Sequence, residues 1–265
     1  MGILIKDIIN GKLTGAARTL LLSCVLVATR KSSAGVRPIA MGEVFYKLAG
    51  LYALELVRPH VADALGPHQF GLAPGGSESA FHILQASMDL HPDWVLVSTD
   101  IVNAFNTRRR SDILSSLFDT NSLKPLWKLA HWSYGSESPL LLMDRGKLVA
   151  SLLSCEGVRQ GDNLGSLLFA LSLKQPISNS IIVSPDCKVV SVMDDIYFFG
   201  APQHVFPAVD RFSATAPHLG FTLNFLKSNA LTLIRILSVS VLLVIYLILT
   251  SLFLPWVLLL VETLM

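Results

Sequence analysis

The 265-residue sequence predicts an α+β domain, an antiparallel sheet of the split βαβ type with helices between its strands, followed by an apolar terminal segment. Three observations predict it. Short runs rich in β-formers, at 94–99, 188–199 and 220–225, are separated by stretches with helical spacing of apolar residues. Carboxylates punctuate two of those runs, Asp100 closing the first and Asp194-Asp195 interrupting the second. Finally, positions 236–261 carry no charge at all.

The first ninety residues read as helix and loop. The mostly apolar stretch 14–29 leads into the polar loop Arg30-Lys31-Ser32-Ser33-Ala34-Gly35. Arg37-Pro38-Ile39 is extended, because a proline ring crowds the helical region for the residue before it. Apolar spacing over 42–58 predicts a helix that Pro59 closes. Phe70-Gly71 and Pro74-Gly75-Gly76 mark a loop, and Ser77 opens a helix with Glu78 in its first turn. Beyond the strand at 94–99, helices are predicted at 110–118 and 125–131. A hairpin over 138–154 turns at Asp144-Arg145-Gly146-Lys147. An apolar helix over 164–173 precedes the strand–turn–strand at 188–199. The last short strand is 220–225, with Lys227 just beyond it.

Hydrophobic residues make up 52% of the chain and charged residues 15%, which excludes a disordered polypeptide. A net charge of +2 is unlike that of a strongly basic nucleic-acid binder. Cys24, Cys155 and Cys187 are far apart and odd in number, so they form neither a disulfide framework nor a metal-ligand spacing. That favours a reducing compartment. The mean hydropathy of +0.55 owes much to the terminal segment. All but Arg235 of the 21 Lys+Arg, and all but Glu262 of the 19 Asp+Glu, fall within residues 1–230. Those residues read as a mixed, soluble domain. Roughly 20 apolar residues cross a bilayer as a helix, so 236–261 is a candidate transmembrane helix. Lys227 and Arg235 before it and Glu262 after it would leave the domain on the cytoplasmic side. The alternatives are a buried core helix and a terminus made foreign to the domain by a change of reading frame. Residues 1–9 carry Lys6 and Asp7 without a cleavage pattern, so no signal peptide is expected.

The chemistry is in the carboxylates. Asp194-Asp195 lies inside Val192-Met193-Asp194-Asp195-Ile196-Tyr197-Phe198-Phe199, where burying two charges is costly unless something compensates them. Mg²⁺ does so well, because it takes one or two carboxylates and completes its shell with substrate phosphates. If the strands ending at Asp100 and at Asp194 are sheet neighbours, three carboxylates converge on one edge. Such an edge suits two metals about 4 Å apart, the arrangement of in-line phosphoryl or nucleotidyl transfer. For an isolated Asp-Asp, a solvated hairpin turn is the more common outcome.

The order of the motifs changes that balance. Arg37-Pro38-Ile39 looks like a fingers motif. Ser98-Thr99-Asp100-Ile101-Val102-Asn103-Ala104-Phe105-Asn106 is similar to motif A. Gly157-Val158-Arg159-Gln160-Gly161-Asp162 with Leu167-Leu168-Phe169 looks like motif B. Val192-Met193-Asp194-Asp195 resembles motif C, and Gly220-Phe221-Thr222-Leu223-Asn224 with Lys227-Ser228 resembles motif D. As an ordered set these resemble the reverse transcriptases of the non-LTR retrotransposon type. The resemblance implies a polymerase palm, a ferredoxin-like antiparallel sheet over 91–230 with motifs A to D, after partial helical fingers over 1–90. By the same resemblance the thumb is expected to be absent, with 231–265 an apolar tail in the place where a thumb would follow.

By the same resemblance, Asp100 and Asp194 ligate both metals, the Ile101 carbonyl assists one, and Asp195 supports them beside the primer end. Phe105 is placed as a steric gate against a ribose 2′-hydroxyl, where core packing is the plainer alternative. Gln160 and Gly161 line the nucleotide pocket, glycine letting backbone approach substrate. Arg37, helped by Lys31 or Arg30, holds the triphosphate, since a guanidinium binds phosphate bidentately. Lys227 is the general acid for the leaving pyrophosphate. Arg108-Arg109-Arg110 is a candidate phosphate contact, with a solvated helix start as the alternative. The implied cofactor is Mg²⁺, two ions, with Mn²⁺ as a substitute. The implied partners are an RNA template, a DNA primer and dNTPs, with membrane contact through 236–261. The implied setting is intracellular, nucleus or cytoplasm, or anchored with the domain facing the cytoplasm. The competing readings are an inactive, membrane-tethered retroelement remnant and an RNA-dependent RNA polymerase palm. The sequence departs from the family at Asn163, Gly165 and Ser166 in motif B and at Val192 in motif C.

Overall fold

The computed structural model describes residues 1–30, 35–224, 228–234 and 243–248. Helices α1 (Gly2–Ile9) and α2 (Gly15–Leu22) precede strands β1 (Cys24–Arg30) and β2 (Val36–Gly42). Helix α3 (Val44–Val57) follows, its first turn capped by the Glu43 carboxylate, which accepts from the Phe45 and Tyr46 N–H groups. Helices α4 (Val61–Leu65) and α5 (Gly76–Leu90) lead to β3 (Val95–Thr99). Then come α6 (Ala104–Thr107), α7 (Arg110–Phe118), α8 (Trp127–Tyr134) and the strands β4 (Ser138–Asp144) and β5 (Lys147–Ser154). Helix α9 (Gly165–Ile181) precedes β6 (Lys188–Val192) and β7 (Asp195–Gly200), followed by α10 (Pro202–Thr215), β8 (Asn229–Ile234) and β9 (Leu243–Ile248). The chain divides into two compact units, each made of two segments: Met1–Pro67 with Asn103–Lys174, and His68–Val102 with Gln175–Met265.

The first unit holds a four-stranded sheet in the order β2-β1-β4-β5. Strand β1 runs antiparallel to β2 and parallel to β4, with Cys24 opposite Leu140. The β4–β5 hairpin turns at Arg145 and Gly146, both at positive φ (46° and 78°), as a two-residue turn matched to strand twist requires. Buried Ile8, Leu22, Ala49, Val57, Leu117, Leu126 and Leu129 form the core of this unit.

The second unit holds a five-stranded, wholly antiparallel sheet in the order β6-β7-β3-β8-β9. Side chains alternate between its faces. On one face Val190 and Phe199 are buried with Ala80 of α5, and Phe70, Trp94 and Leu96 pack around them. On the other, fully buried Phe198 meets Phe212 of α10, ring centroids 5.6 Å apart. This two-sided burial explains why β3, β6 and β7 read as nearly continuous apolar runs.

Three expectations are corrected. The stretch 14–29 is not one helical segment. It breaks at Ser23 into α2 and β1, because Val25, Val27 and Thr29 favour an extended chain and β2 supplies the partner. The last predicted strand, 220–225, is reduced among the described residues to a single bridge, Leu223 opposite Ile101, and the pairing strand beside β3 is β8. Residues 243–248, inside the predicted apolar helix 236–261, form strand β9 against β8. Val244, Ile245, Tyr246 and Ile248 suit a strand, and a long apolar run does not by itself distinguish the two states. The remainder of 236–261 lies outside the described residues, and among the described residues no helix is long and apolar enough to cross a membrane.

Candidate functional site

The second unit gathers Asp100, Ile101, Asp194 and Asp195. Strand β3 ends at Thr99, which pairs with Ile196 of β7, so Asp100 leaves the sheet beside the β6–β7 turn. Val192 pairs with Asp195, leaving Met193 and Asp194 as a two-residue loop. The Asp195 carboxyl sits above the usual carboxylate range, raised by partial burial and then by the negative charges of Asp194 and Asp100. Three acidic groups thus interact at one sheet edge.

The backbone of Asp100 is fixed from both sides. Its N–H donates to Ser228 Oγ at 3.2 Å, and its carbonyl accepts from the Asn224 N–H at 2.8 Å. Ser228 Oγ in turn donates to the Asn224 carbonyl at 3.0 Å. The residues flanking Lys227 are therefore tied to the end of β3, although Lys227 itself, like Lys31, lies outside the described residues.

Among the described residues no cluster of three or more His, Cys, Asp or Glu side chains closes around a metal position. The donor chemistry nevertheless fits a hard divalent cation. The groups are carboxylate oxygens whose mutual repulsion a cation removes, and Mg²⁺ needs only one or two of them.

The first unit gathers Arg37, Phe105, Gln160 and Gly161. Arg37 is exposed on β2. The Gln160 carbonyl accepts from the Ala40 N–H at 2.7 Å. Gly161 has φ 102°, and a Cβ there would meet the Ala40 carbonyl oxygen at 2.8 Å, so the close approach that needs a glycine is to β2. Pro38, Ala40, Asn106, Val158, Arg159 and Gln160 line part of a cavity of about 390 Å³. Phe105 is half-buried and stacks on Phe169, centroids 4.3 Å apart, while its carbonyl accepts from the Val158 N–H at 2.7 Å.

Arg159, one residue before Gln160, is the centre of a buried network that sequence reasoning did not find. Arg159 and Asp162 form an ion pair at 2.7 Å with both side chains 2% exposed. Tyr46 and Tyr134 donate to Asp162 Oδ2 at 2.8 and 2.7 Å, and Arg159 also donates to Ser138 Oγ at 2.9 Å. Burial and then the Asp162 charge push both tyrosine hydroxyls well above their ordinary range, so they remain donors. Asn163 donates to the Lys47 carbonyl at 2.8 Å. The arginine run after motif A is mostly internal. Arg108 is buried against Asp112 and Ser172, and Arg110 donates to Ser154 Oγ at 2.7 Å and the Gly157 carbonyl at 3.0 Å. Of the three only Arg109 is exposed.

Residues 29–241 match the family described as "Reverse transcriptase (RNA-dependent DNA polymerase)". The chain is 28% identical over 233 residues to the retrotransposable element SLACS 132 kDa protein of Trypanosoma brucei gambiense, covering 86% of this chain and 19% of that protein. It therefore spans about a fifth of the length of that relative. Among solved structures, apo telomerase from Candida tropicalis truncated from its C-terminal domain has a TM-score of 0.61 at 13% identity, covering 83% of this chain and 51% of that one. Telomerase from Candida albicans with a fragment of telomeric RNA has a TM-score of 0.59 at 11% identity, covering 86% and 44%. Identities this low speak for the fold alone, but the family match spans most of the sequence: the chain belongs to the reverse transcriptase family.

Proposed function

We propose that the chain is the RNA-directed DNA polymerase domain of a retroelement, extending a DNA primer on an RNA template. The reaction is attack of the primer 3′-hydroxyl on the α-phosphate of a dNTP. The observation that carries this reading is the register of β3 against β7, which sets Asp100 beside the turn bearing Asp194 and Asp195. Asp100 and Asp194, with the Ile101 carbonyl, would hold two Mg²⁺ ions, Mn²⁺ being a substitute, and Asp195 would support them. When bound, the ions supply charge neutralisation and lower the pKa of the attacking hydroxyl. Arg37, with Lys31, would orient the triphosphate, and Gln160 and Gly161 would shape the pocket. Lys227 would donate a proton to the departing pyrophosphate. Residues 91–230 are read as palm and 1–90 as partial fingers, acting inside the cell.

The test is primer extension by the full chain with Mg²⁺ on an RNA template. Asp194→Ala and Asp100→Ala are each expected to lower incorporation by at least about 10²-fold, the scale of losing one preorganised electrostatic group. Phe105→Ala is expected to admit ribonucleotides. No metal-dependent incorporation from folded wild-type protein would defeat the polymerase reading, and unchanged sugar selection would defeat the gate.

A further inference from the structure

We propose that Gln69 is a positioning residue that clamps the β6–β7 turn in its left-handed conformation and so sets the direction of the Asp194 and Asp195 carboxylates. The proposal rests on the reading of those carboxylates as metal ligands.

Met193 has φ 58°, one of few residues other than glycine in the left-handed region among the described residues. A two-residue hairpin loop demands positive φ at its first position, and a residue with a Cβ resists it. Glycine would meet the demand without strain, yet here the position holds methionine. The compensation comes from outside the hairpin. Gln69, 8% exposed, accepts from the Met193 N–H through Oε1 at 2.8 Å and donates from Nε2 to the Met193 carbonyl at 3.2 Å. One side chain thus holds both backbone polar groups of the strained residue. Its amide orientation is fixed chemically, because the Gly71 N–H also donates to Oε1, at 2.8 Å.

The clamp is itself anchored to β6. The Phe70 N–H donates to the Ser191 carbonyl at 2.7 Å, the Ser191 N–H donates to the His68 carbonyl at 2.7 Å, and Gln69 bridges Ser191 in parallel. The fit is close. A Cβ on Gly71 would lie 2.6 Å from Met193 Sδ and 2.7 Å from its nitrogen. No larger residue fits at 71 while the clamp is closed. The Arg145-Gly146 turn of the β4–β5 hairpin places a glycine in its positive-φ pair. The catalytic turn instead has its strained backbone held at a fixed angle, which is what aiming a carboxylate requires. Without the clamp, Met193 relaxes from positive φ towards the negative φ that a residue with a Cβ prefers, and Asp194 turns with it.

The experiment uses the full chain and two independent readouts. The first is hydrogen exchange of the Met193 amide without metal or nucleotide, which needs no activity. The second is Mg²⁺-dependent extension of oligo(dT) on poly(rA) with dTTP. Gln69→Leu is expected to speed Met193 exchange about tenfold or more. It should lower kcat by a similar factor, raise the Mg²⁺ needed for half-maximal rate, and leave the KM for dTTP within about twofold. Met193→Gly in the Gln69→Leu background should recover at least half of kcat, since glycine needs no clamp; a merely structural role for Gln69 would not be rescued there. If Gln69→Leu fails to fold, Gln69→Glu keeps the acceptor and loses the donor, and its expected result is a protected Met193 amide with a smaller loss of rate. Unchanged Met193 exchange in folded Gln69→Leu, or no rescue by Met193→Gly, overturns the proposal. If wild-type protein extends no primer, the polymerase reading fails and Met193 exchange alone decides the role of Gln69.

Discussion

At the scale of single residues the molecule concentrates cost where the chemistry is proposed. Met193 holds a positive φ worth about 1–3 kcal/mol of strain, and Asp195 shares a sheet edge with two like charges. The raised Asp195 pKa has a definite sign. The folded chain binds this proton more tightly than the unfolded chain, so stability falls as pH rises from the ordinary carboxylate pKa through the raised one. Asp195→Asn is therefore expected to stabilise the metal-free protein at neutral pH, with the gain vanishing towards pH 3. Urea denaturation in EDTA across that range checks this, and a gain that does not depend on pH would refute it. The three aspartates stood out in the sequence because they end or interrupt apolar runs. The sequence did not reveal Gln69, whose only trace was the Phe70-Gly71 loop signal beside it. A side chain that holds another residue's backbone leaves no periodic pattern.

At the scale of elements, burial decides what each charged side chain does. The guanidiniums of Arg108 and Arg110 look from sequence like a phosphate-binding run, but packing turns them inward onto Asp112, Ser172, Ser154 and Gly157. Arg159 goes further, joining the segment that carries Gln160 and Gly161 to α3 and α8 through Asp162, Tyr46 and Tyr134. Removing one partner of a buried ion pair strands the other without compensation. Arg159→Ala is accordingly expected to cost about 3–5 kcal/mol of stability, and Asp162→Ala a similar amount. The double variant should cost less than the sum, because the stranded charge is gone. Urea midpoints of the three variants decide it; additive losses would mean that the pair is not coupled. The hairpin over 138–154 was foreseen because Arg145-Gly146 chemistry is local. The split of 14–29 into α2 and β1 was not, because β1 is held between β2 and the sequence-distant strand β4, a partner that no local pattern announces.

At the scale of the whole molecule, the compact units do not follow the chain. Motif A is divided between them, Asp100 and Ile101 in one unit and Phe105 in the other, since the chain passes from one to the other after Val102. The carboxylates repel one another in the unit that holds them, so a divalent cation bound there should stabilise the native chain by mass action. Millimolar Mg²⁺ is expected to raise the Tm of the wild-type protein by a few degrees and that of an Asp100→Ala, Asp194→Ala double variant hardly at all. Calorimetry with and without EDTA tests this, and an equal shift in both proteins would place the ion elsewhere. What the sequence determined by itself is the family and the α+β class. These depend on residue type, order and short-range spacing, which the chain carries locally. What only the tertiary structure decided is the partner of each group: the β3–β7 register beside Asp100, the clamp on Met193, the burial of Arg159, and strand β9 where an apolar run suggested a helix. Each of these depends on contacts between residues distant in sequence, and local pattern does not encode which distant partner will satisfy a buried polar group or an open strand edge.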